Sequence, residues 1–312
     1  MFKGRIGIWV SVLLCCSIIT GLINWVPTWF QEYETTISVN IEKDNEFSEQ
    51  ISDKSIGDFK MRTRDSGGDI IVSDSGENID GYTKYENLLY SPIVMYTVAD
   101  IYDHSEGFIK VSNNSSAFKA DLYSILVGIE NGKEWKDLGV SNKVARGPVT
   151  LYIPNEQNSY YEDVIELFYM TLNNGNIPSD DERDMLESRV NNIVSKCTKV
   201  VSITQSVYDE YKNSSTNHKV FIGPEYLYQR GSDNSMSKSY DDSFQIVYLT
   251  KTITLYADML IKESLSEEAV NVNSFIDEIQ GDGKFMDCTG WRVQNSTFDL
   301  ASVGYVYIKE PK

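Results

Sequence analysis

Few residues of this chain have the types and spacing that covalent or metal chemistry requires. It holds two histidines, His104 and His218, too few for a multi-histidine metal centre. Of its four cysteines, Cys15 and Cys16 lie inside an apolar run, while Cys197 and Cys288 lie far apart in the remainder. No two have the C-x-x-C spacing of a metal site or redox pair. A Cys197–Cys288 disulfide stays open for an exported chain, since sequence alone does not bring two Cα atoms within roughly 7 Å. There is no G-x-S-x-G elbow, P-loop, H-E-x-x-H or G-x-G-x-x-G. The segment Glu278–Thr289 has the Asp-Gly pair of a calcium loop at Asp282-Gly283. Aligned on that glycine, Thr289 falls where a bidentate Glu is needed, so the loop is rejected. The acidic run Ser179–Asp184 offers an acid/base pair in principle. Its place in a first helical turn is explained by the macrodipole instead. No enzyme, cofactor or metal is expected from these residues.

The elements that would position any site alternate between strand and helix. Glu34–Lys43 places Ile37, Val39 and Ile41 at every second position, a half-buried strand. A short helical stretch is expected around Asn45–Ile56 and a short strand around Phe59–Arg64. Asp69–Ser75 and Ser91–Val98 read as buried strands. Phe118, Leu122, Ile125, Leu126 and Ile129 lie on one helix face, closed by Gly132. Val149–Ile153 is the next strand. Ser159 with Glu162, and Ser179 with Glu182, are S-x-x-E capping boxes ahead of two amphipathic helices. The second ends near Cys197, which reads as a core residue rather than a nucleophile. Lys199–Ile203, a segment from Lys219 to Tyr228 broken at Gly223-Pro224, Phe244–Leu249 and Ile253–Leu260 are expected to be extended. A short helix is expected around Ser206–Lys212. Ser266 is expected to cap a helix through Ile279, and Val303–Ile308 to form a last strand. Gly231–Ser243 reads as a polar loop. No repeat is present, and alternating strands and helices imply an α/β domain with largely parallel sheets.

Composition narrows the partners. The chain has 28 Lys+Arg against 46 Asp+Glu, a net charge of −18. Lys3 and Arg5 precede every acidic residue, so the chain beyond them carries 26 − 46 = −20. Such a surface repels phosphate backbones, which excludes nucleic acid as a partner. With 41% hydrophobic residues the chain can still bury a sizeable core.

Residues 6–30 contain no charged side chain, enough for one bilayer span. The basic residues 1–5 before it predict a cytoplasmic N-terminus. Trp25, Trp29 and Tyr33 suit the far interface. The run is longer than a signal-peptide core and lacks a small-x-small cleavage site, so a retained signal anchor is expected. Cleaved and lipidated forms remain the alternatives. In each case the bulk of the chain is extracellular.

Several segments together resemble extracellular solute-binding proteins of the periplasmic type II class, the group containing the molybdate- and phosphate-binding proteins. Thr35–Phe47 is similar to the first strand and its ligand loop. Gly67–Ser75 is similar to a strand ending at the cleft, and Tyr90–Tyr96 to a crossover strand with its Ser-Pro. Gly132–Gly139 resembles the Trp-x-x-Leu segment opening the second lobe. Gly147–Tyr169 resembles a strand–Pro–polar loop–helix unit, and Phe244–Arg292 the return to the first lobe, ending in Gly290-Trp291-Arg292.

The resemblance implies an α/β, two-lobed periplasmic-binding-protein-like (type II) fold preceded by one N-terminal transmembrane helix. Its parts would be 31–98 and 244–312 for the first lobe and 99–243 for the second. It implies a ligand gripped between the lobes by Asp44, Asn45, Ser73, Asp74, Ser75, Ser91, Asn155, Ser159 and Tyr160. Helix-start N–H groups at Asn158–Tyr161 would receive a carboxylate or oxyanion, while Asp74 would repel one. The implied partners are a small-molecule solute of unknown class and a membrane permease of ABC type, or another cell-surface protein. The alternative is a sensing or protein-interaction domain without transport. The stretch between Lys43 and Asp69 is too short for the usual helix–strand–helix, which favours that alternative, while the intact second-lobe pattern favours transport. The acidic surface favours a cationic or neutral solute, or a protein with a basic face.

Overall fold

The apolar runs of the sequence are short, β-branched and bounded by Gly, Asn and Pro, so they pair as strands before they extend as helices. The computed structural model describes residues 35–41, 54–56, 59–63, 68–73, 78–98, 109–111, 118–203, 206, 219–227, 244–267, 276–279, 291–293 and 305–308. The expected membrane span at 6–30, Asp44, Asn45, Asp74, Ser75 and the loop Gly231–Ser243 lie outside them. So do His104, His218, the calcium-like loop at Asp282-Gly283 and most of the helix expected at Ser206–Lys212. Among the described residues no helix is long and apolar enough to cross a membrane.

Strands β1 (Thr35–Ile41), β3 (Phe59–Thr63) and β4 (Ile70–Ser73) run parallel, with β1 central. Strand β2 (Lys54–Ile56) pairs antiparallel with β3, where a helix was expected to reach Ile56. Strand β5 (Tyr82–Val98) is far longer than the expected Ser91–Val98. At about 3.3 Å per residue, 17 residues span roughly 55 Å, enough to run through two groups of strands. Strands β6 (Ile109–Val111) and β7 (Phe118–Ala120) form a small hairpin ladder.

Phe118 therefore belongs to a strand, and helix α1 (Leu122–Glu130) starts only after Asp121. The Asp121 carboxylate accepts the Tyr123 N–H and stops the helix from extending backward. A 3-10 turn, Trp135–Leu138, occupies what reads as a loop. Strand β8 (Tyr152–Pro154) lies later than the expected Val149–Ile153 and leads to helix α2 (Tyr161–Leu172). Helix α3 (Asp180–Lys196) carries the Ser179–Glu182 capping box as the sequence implies. Strand β9 (Thr198–Val200) is shorter than expected and starts one residue earlier.

Strand β10 (Phe221–Pro224) ends at Pro224, so the extended segment breaks where the sequence implies, and residues 225–227 turn helically instead of resuming a strand. Strands β11 (Phe244–Leu249) and β12 (Lys251–Lys262) follow one another along a single edge of β5. Helix α4 (Glu263–Glu267) contains Ser266, residues 276–279 are helical as expected, and the stretch between them lies outside the described residues. Strands β13 (Arg292–Val293) and β14 (Tyr305–Ile308) complete the order.

The sheet is mixed rather than largely parallel, because β5 pairs antiparallel with β10, β11, β12 and β13, and β12 pairs antiparallel with β4. Its path is β2-β3-β1-β4-β12-β5-β10-β8-β9. One continuous core follows it, from Ile70 and Leu89 through Ile93 and Tyr96 to Phe221 and Phe168. Each such side chain contributes about 1.5–3 kcal/mol by leaving water. The helices join through ion pairs on their flanks, one of them forked. Arg189 of α3 donates two 2.7 Å bonds to Glu130 of α1, and Arg183 of α3 donates one of 2.6 Å to Glu166 of α2.

Candidate functional site

Register along β5 fixes where the two parallel groups point. Ser73, the last residue of β4, lies opposite Asp258 of β12, which in turn faces the Tyr85–Leu89 stretch of β5. Pro224, the last residue of β10, lies opposite Ile93 of β5. Strands β8 and β9 run parallel to β10, and β1 parallel to β4. The carboxyl ends of both groups therefore converge on the middle of β5. In open α/β sheets that is where ligands sit.

The floor between them is the segment Leu89–Ile93. One edge of β5 is covered by β13 at Leu89 and Tyr90 and by β10 from Ile93 onward. Ser91 and Pro92 fall between these partners. Pro92 has no N–H to leave unmet there, and the fully buried Ser91 hydroxyl accepts the Tyr226 N–H at 3.0 Å. Tyr96 donates to the Pro224 carbonyl. The turn after β10 is thus pinned to β5 on both sides.

That turn also carries Glu225, which has no exposed surface. Arg292 of β13 donates two 2.6 Å bonds to its carboxylate, and Tyr248 of β11 donates a third. Burial lowers the Arg292 pKa, but the Glu225 carboxylate outweighs it and the net shift is upward. Burial, with Glu225 beside it, drives the Tyr248 phenol well above its ordinary value. Next to this cluster Tyr226 and Trp291 stack, centroids 4.7 Å apart and planes 13° from parallel.

The first wall is built by a bulge. Ala257 pairs with Leu89 and Met259 with Tyr85, so Glu86, Asn87 and Leu88 face the single residue Asp258. Asn87 takes a left-handed φ of 51°. Asp258 accepts its N–H at 2.8 Å and pairs with the Lys84 ammonium at 3.0 Å. The hydrogen bond to Asp258 raises the Lys84 pKa above its ordinary value, against burial.

The second wall is a polar turn after β8. Asn155 accepts from the Gln157 N–H at 3.2 Å and from the Asn158 amide at 2.8 Å. Asn158 also donates to the Val201 carbonyl at 3.2 Å, and Val201 itself is 66% exposed at the end of β9. Lys199 pairs with Glu156, whose hydrogen bond raises the lysine pKa and lowers that of the carboxyl.

Of the residues singled out from the sequence, Ser73 is buried at the end of β4, Ser91 is in the floor, and Asn155 is in the second wall. Ser159 is exposed and does not cap α2. The residue in the cap position is Tyr160, which is buried and makes no side-chain cap bond. The Asn155–Asn158 turn wins there, because the Asn158 carbonyl takes the Tyr161 N–H. Ser73 and Ser91 are separated by β12 and by three residues along it, roughly 14 Å by strand spacing and rise, so they share no first-neighbour contact. Cys197 is a free thiol at the end of α3, and burial pushes its pKa up to about 12, which suits a structural cysteine.

Lys84, Asn87, Asp258, Glu225 and Tyr248 were not singled out from sequence. Asp258 had a usable signal, a lone carboxylate within the apolar strand Leu255–Ile261. Among the described residues no group of three or more His, Cys, Asp and Glu side chains could hold a metal ion.

No family model and no curated protein matches the chain. Solved structures similar to it share about a tenth of its residues. A Bordetella parapertussis protein, provisionally described as an extracellular solute-binding protein, has a TM-score of 0.48 at 9% identity over 89% of this chain and 93% of its own. A structure bearing on xylan utilization by Caldanaerobius polysaccharolyticus has a TM-score of 0.45 at 10% identity, covering 86% and 85%. Ferric iron-binding protein A of Mannheimia haemolytica, in an open conformation, has a TM-score of 0.44 at 11% identity, covering 86% and 89%.

Proposed function

We propose that this chain is a membrane-tethered extracellular solute-binding protein of the periplasmic type II kind. It captures a small ligand between two lobes and presents it to a membrane permease, with no catalytic step. The first lobe is built on β1, β3 and β4 and the second on β8, β9 and β10. The observation that carries this reading is the convergence of both sets of carboxyl ends on Leu89–Ile93 of β5. Two long strand tracks, β5 and β11–β12, connect the lobes and would bend there as they close on the solute. Residues 6–30 would hold the domain outside the membrane.

A sensing or protein-interaction role on the same fold is the second reading. It is favoured by the short β1–β4 connection, whose described part is the hairpin of β2 and β3.

The test is a thermal-shift screen of the full chain in detergent against sugars, amino acids, polyamines, oxyanions and metal ions. A solute bound only by the folded state at 100 times its Kd adds about 2.7 kcal/mol of stability. A raised midpoint with one class supports capture. An unmoved midpoint with every class contradicts it and leaves the interaction role.

A further inference from the structure

Among the described residues at the converging strand ends, the cations Arg292, Lys84 and Lys199 share one feature. Each is matched by a carboxylate of the chain itself. In the floor, Arg292 and Tyr248 form a forked cradle of the kind that binds a free carboxylate, and Glu225 fills it with bonds of 2.6 Å from Arg292 and a further bond from Tyr248. In the first wall, the Asn87 N–H and the Lys84 ammonium point at one place, and Asp258 fills it at 2.8 and 3.0 Å. Glu86 lies 3.8 Å from the same ammonium. In the second wall Lys199 is matched by Glu156. The start of α2 carries Glu162 and Asp163 in its first turn, and the ammonium beside it, Lys199 at 3.4 Å from the Tyr161 hydroxyl, is the one Glu156 already holds.

Resting on the solute-binding reading above, we infer that this cleft takes a solute without net negative charge, because its own carboxylates Glu225, Asp258 and Glu156 already occupy the positions an anion would need. An entering oxyanion would have to displace a tethered carboxylate whose effective concentration is far higher. It would also cross the field of a chain carrying −18. A neutral or cationic solute meets neither obstacle. It finds the Asn155 and Asn158 amides and the exposed Val201 on the second wall.

The inference is tested by removing the internal carboxylates and supplying small anions. The full chain in detergent, wild type and Asp258→Ala, is titrated with inorganic phosphate and with acetate while the unfolding midpoint is followed. Phosphate and acetate should leave wild type unmoved. Asp258→Ala should gain about tenfold in affinity for one of them, the scale of a charge-assisted bond restored. Glu225→Ala should unfold at a lower temperature and recover part of the loss in formate, which wild type ignores. Where Glu225→Ala does not fold in any buffer, the Asp258→Ala titration alone decides.

A wild-type response to phosphate or acetate overturns the inference and leaves solute capture standing. Absence of any gain in Asp258→Ala overturns it as well. Silence of wild type toward every class in the screen overturns the solute-binding reading instead, whatever the variants do.

Discussion

Arg292 and Glu225 lie 67 positions apart and meet through two parallel hydrogen bonds of 2.6 Å, with side chains 7% and 1% exposed. They join β13 to the turn after β10, so a single ion pair spans the crossing of the two strand groups. Removing one partner leaves a buried charge unmatched, which costs about 3–5 kcal/mol. Arg292→Met should therefore lower stability in urea by that amount. The double change Arg292→Met with Glu225→Leu should recover most of it. A single change costing less than the ordinary scatter of surface substitutions, about 0.5 kcal/mol, would contradict the assigned burial.

Asn87 holds a φ of 51° inside the β5 bulge. Glycine pays no steric penalty in that region, whereas a branched side chain clashes. Asn87→Gly should leave the midpoint nearly unchanged, and Asn87→Val should cost about 1–2 kcal/mol. Chemical denaturation of the two variants checks the order. Equal stability would mean that the bulge does not impose this conformation.

Gly175 has φ +79°, and a Cβ there would lie 1.9 Å from Lys251 Cδ. The Lys251 ammonium donates to the Asn174 carbonyl at 2.6 Å, tying the α2–α3 loop to the start of β12. Gly175→Ala should be destabilising by about 1–2 kcal/mol from backbone strain alone, plus the displaced lysine. Adding Lys251→Ala should relieve only the second part. A thermal-melt double-mutant cycle separates the two, and full additivity would contradict the contact.

Acid should weaken this protein through specific glutamates. Glu130 is held below its ordinary value of 4.5 chiefly by its hydrogen bond to Arg189, and Glu182 by the Ser179 N–H it accepts. Folded-state pKa values lowered in this way add stability that is complete above the unfolded value and lost as pH falls through the folded one. The unfolding midpoint should fall as pH drops below about 4.5. The slope should flatten in Arg189→Leu and in Glu182→Gln. Retention of the wild-type slope in both variants would rule out these two sites.

What could be read from the sequence follows the range of the interactions. Ser179 and Glu182 are three residues apart and cap α3 as expected, because the whole motif is local. The apolar run at Ile70–Val72 is a strand for the same reason. Ser159 and Glu162 have identical spacing, yet the neighbouring Asn155–Asn158 turn takes the position. Phe118 fits the periodicity of α1 but pairs into β7, since Asp121 caps the helix behind it. The floor of the site was the least legible part. Glu225, Tyr248 and Arg292 come from three strand ends; Tyr248 and Arg292 both stood in the segment Phe244–Arg292, but nothing local ties either to Glu225. Ser91 was correctly placed on a crossing strand. Its hydroxyl partner, Tyr226, lies 135 positions away, beyond any local pattern.

Capture between two lobes is a claim about distance, so distance tests it most directly. Glu86 on the first wall and Gln157 on the second are both exposed and can each carry a spin label in the full chain with its cysteines replaced. The distance distribution between the labels is measured by pulsed electron resonance, with and without a pool of neutral sugars, zwitterionic amino acids and polyamines. A cleft that closes on its solute predicts a new, shorter-distance population when the pool is added. Superimposable distributions under every addition would contradict capture between these walls.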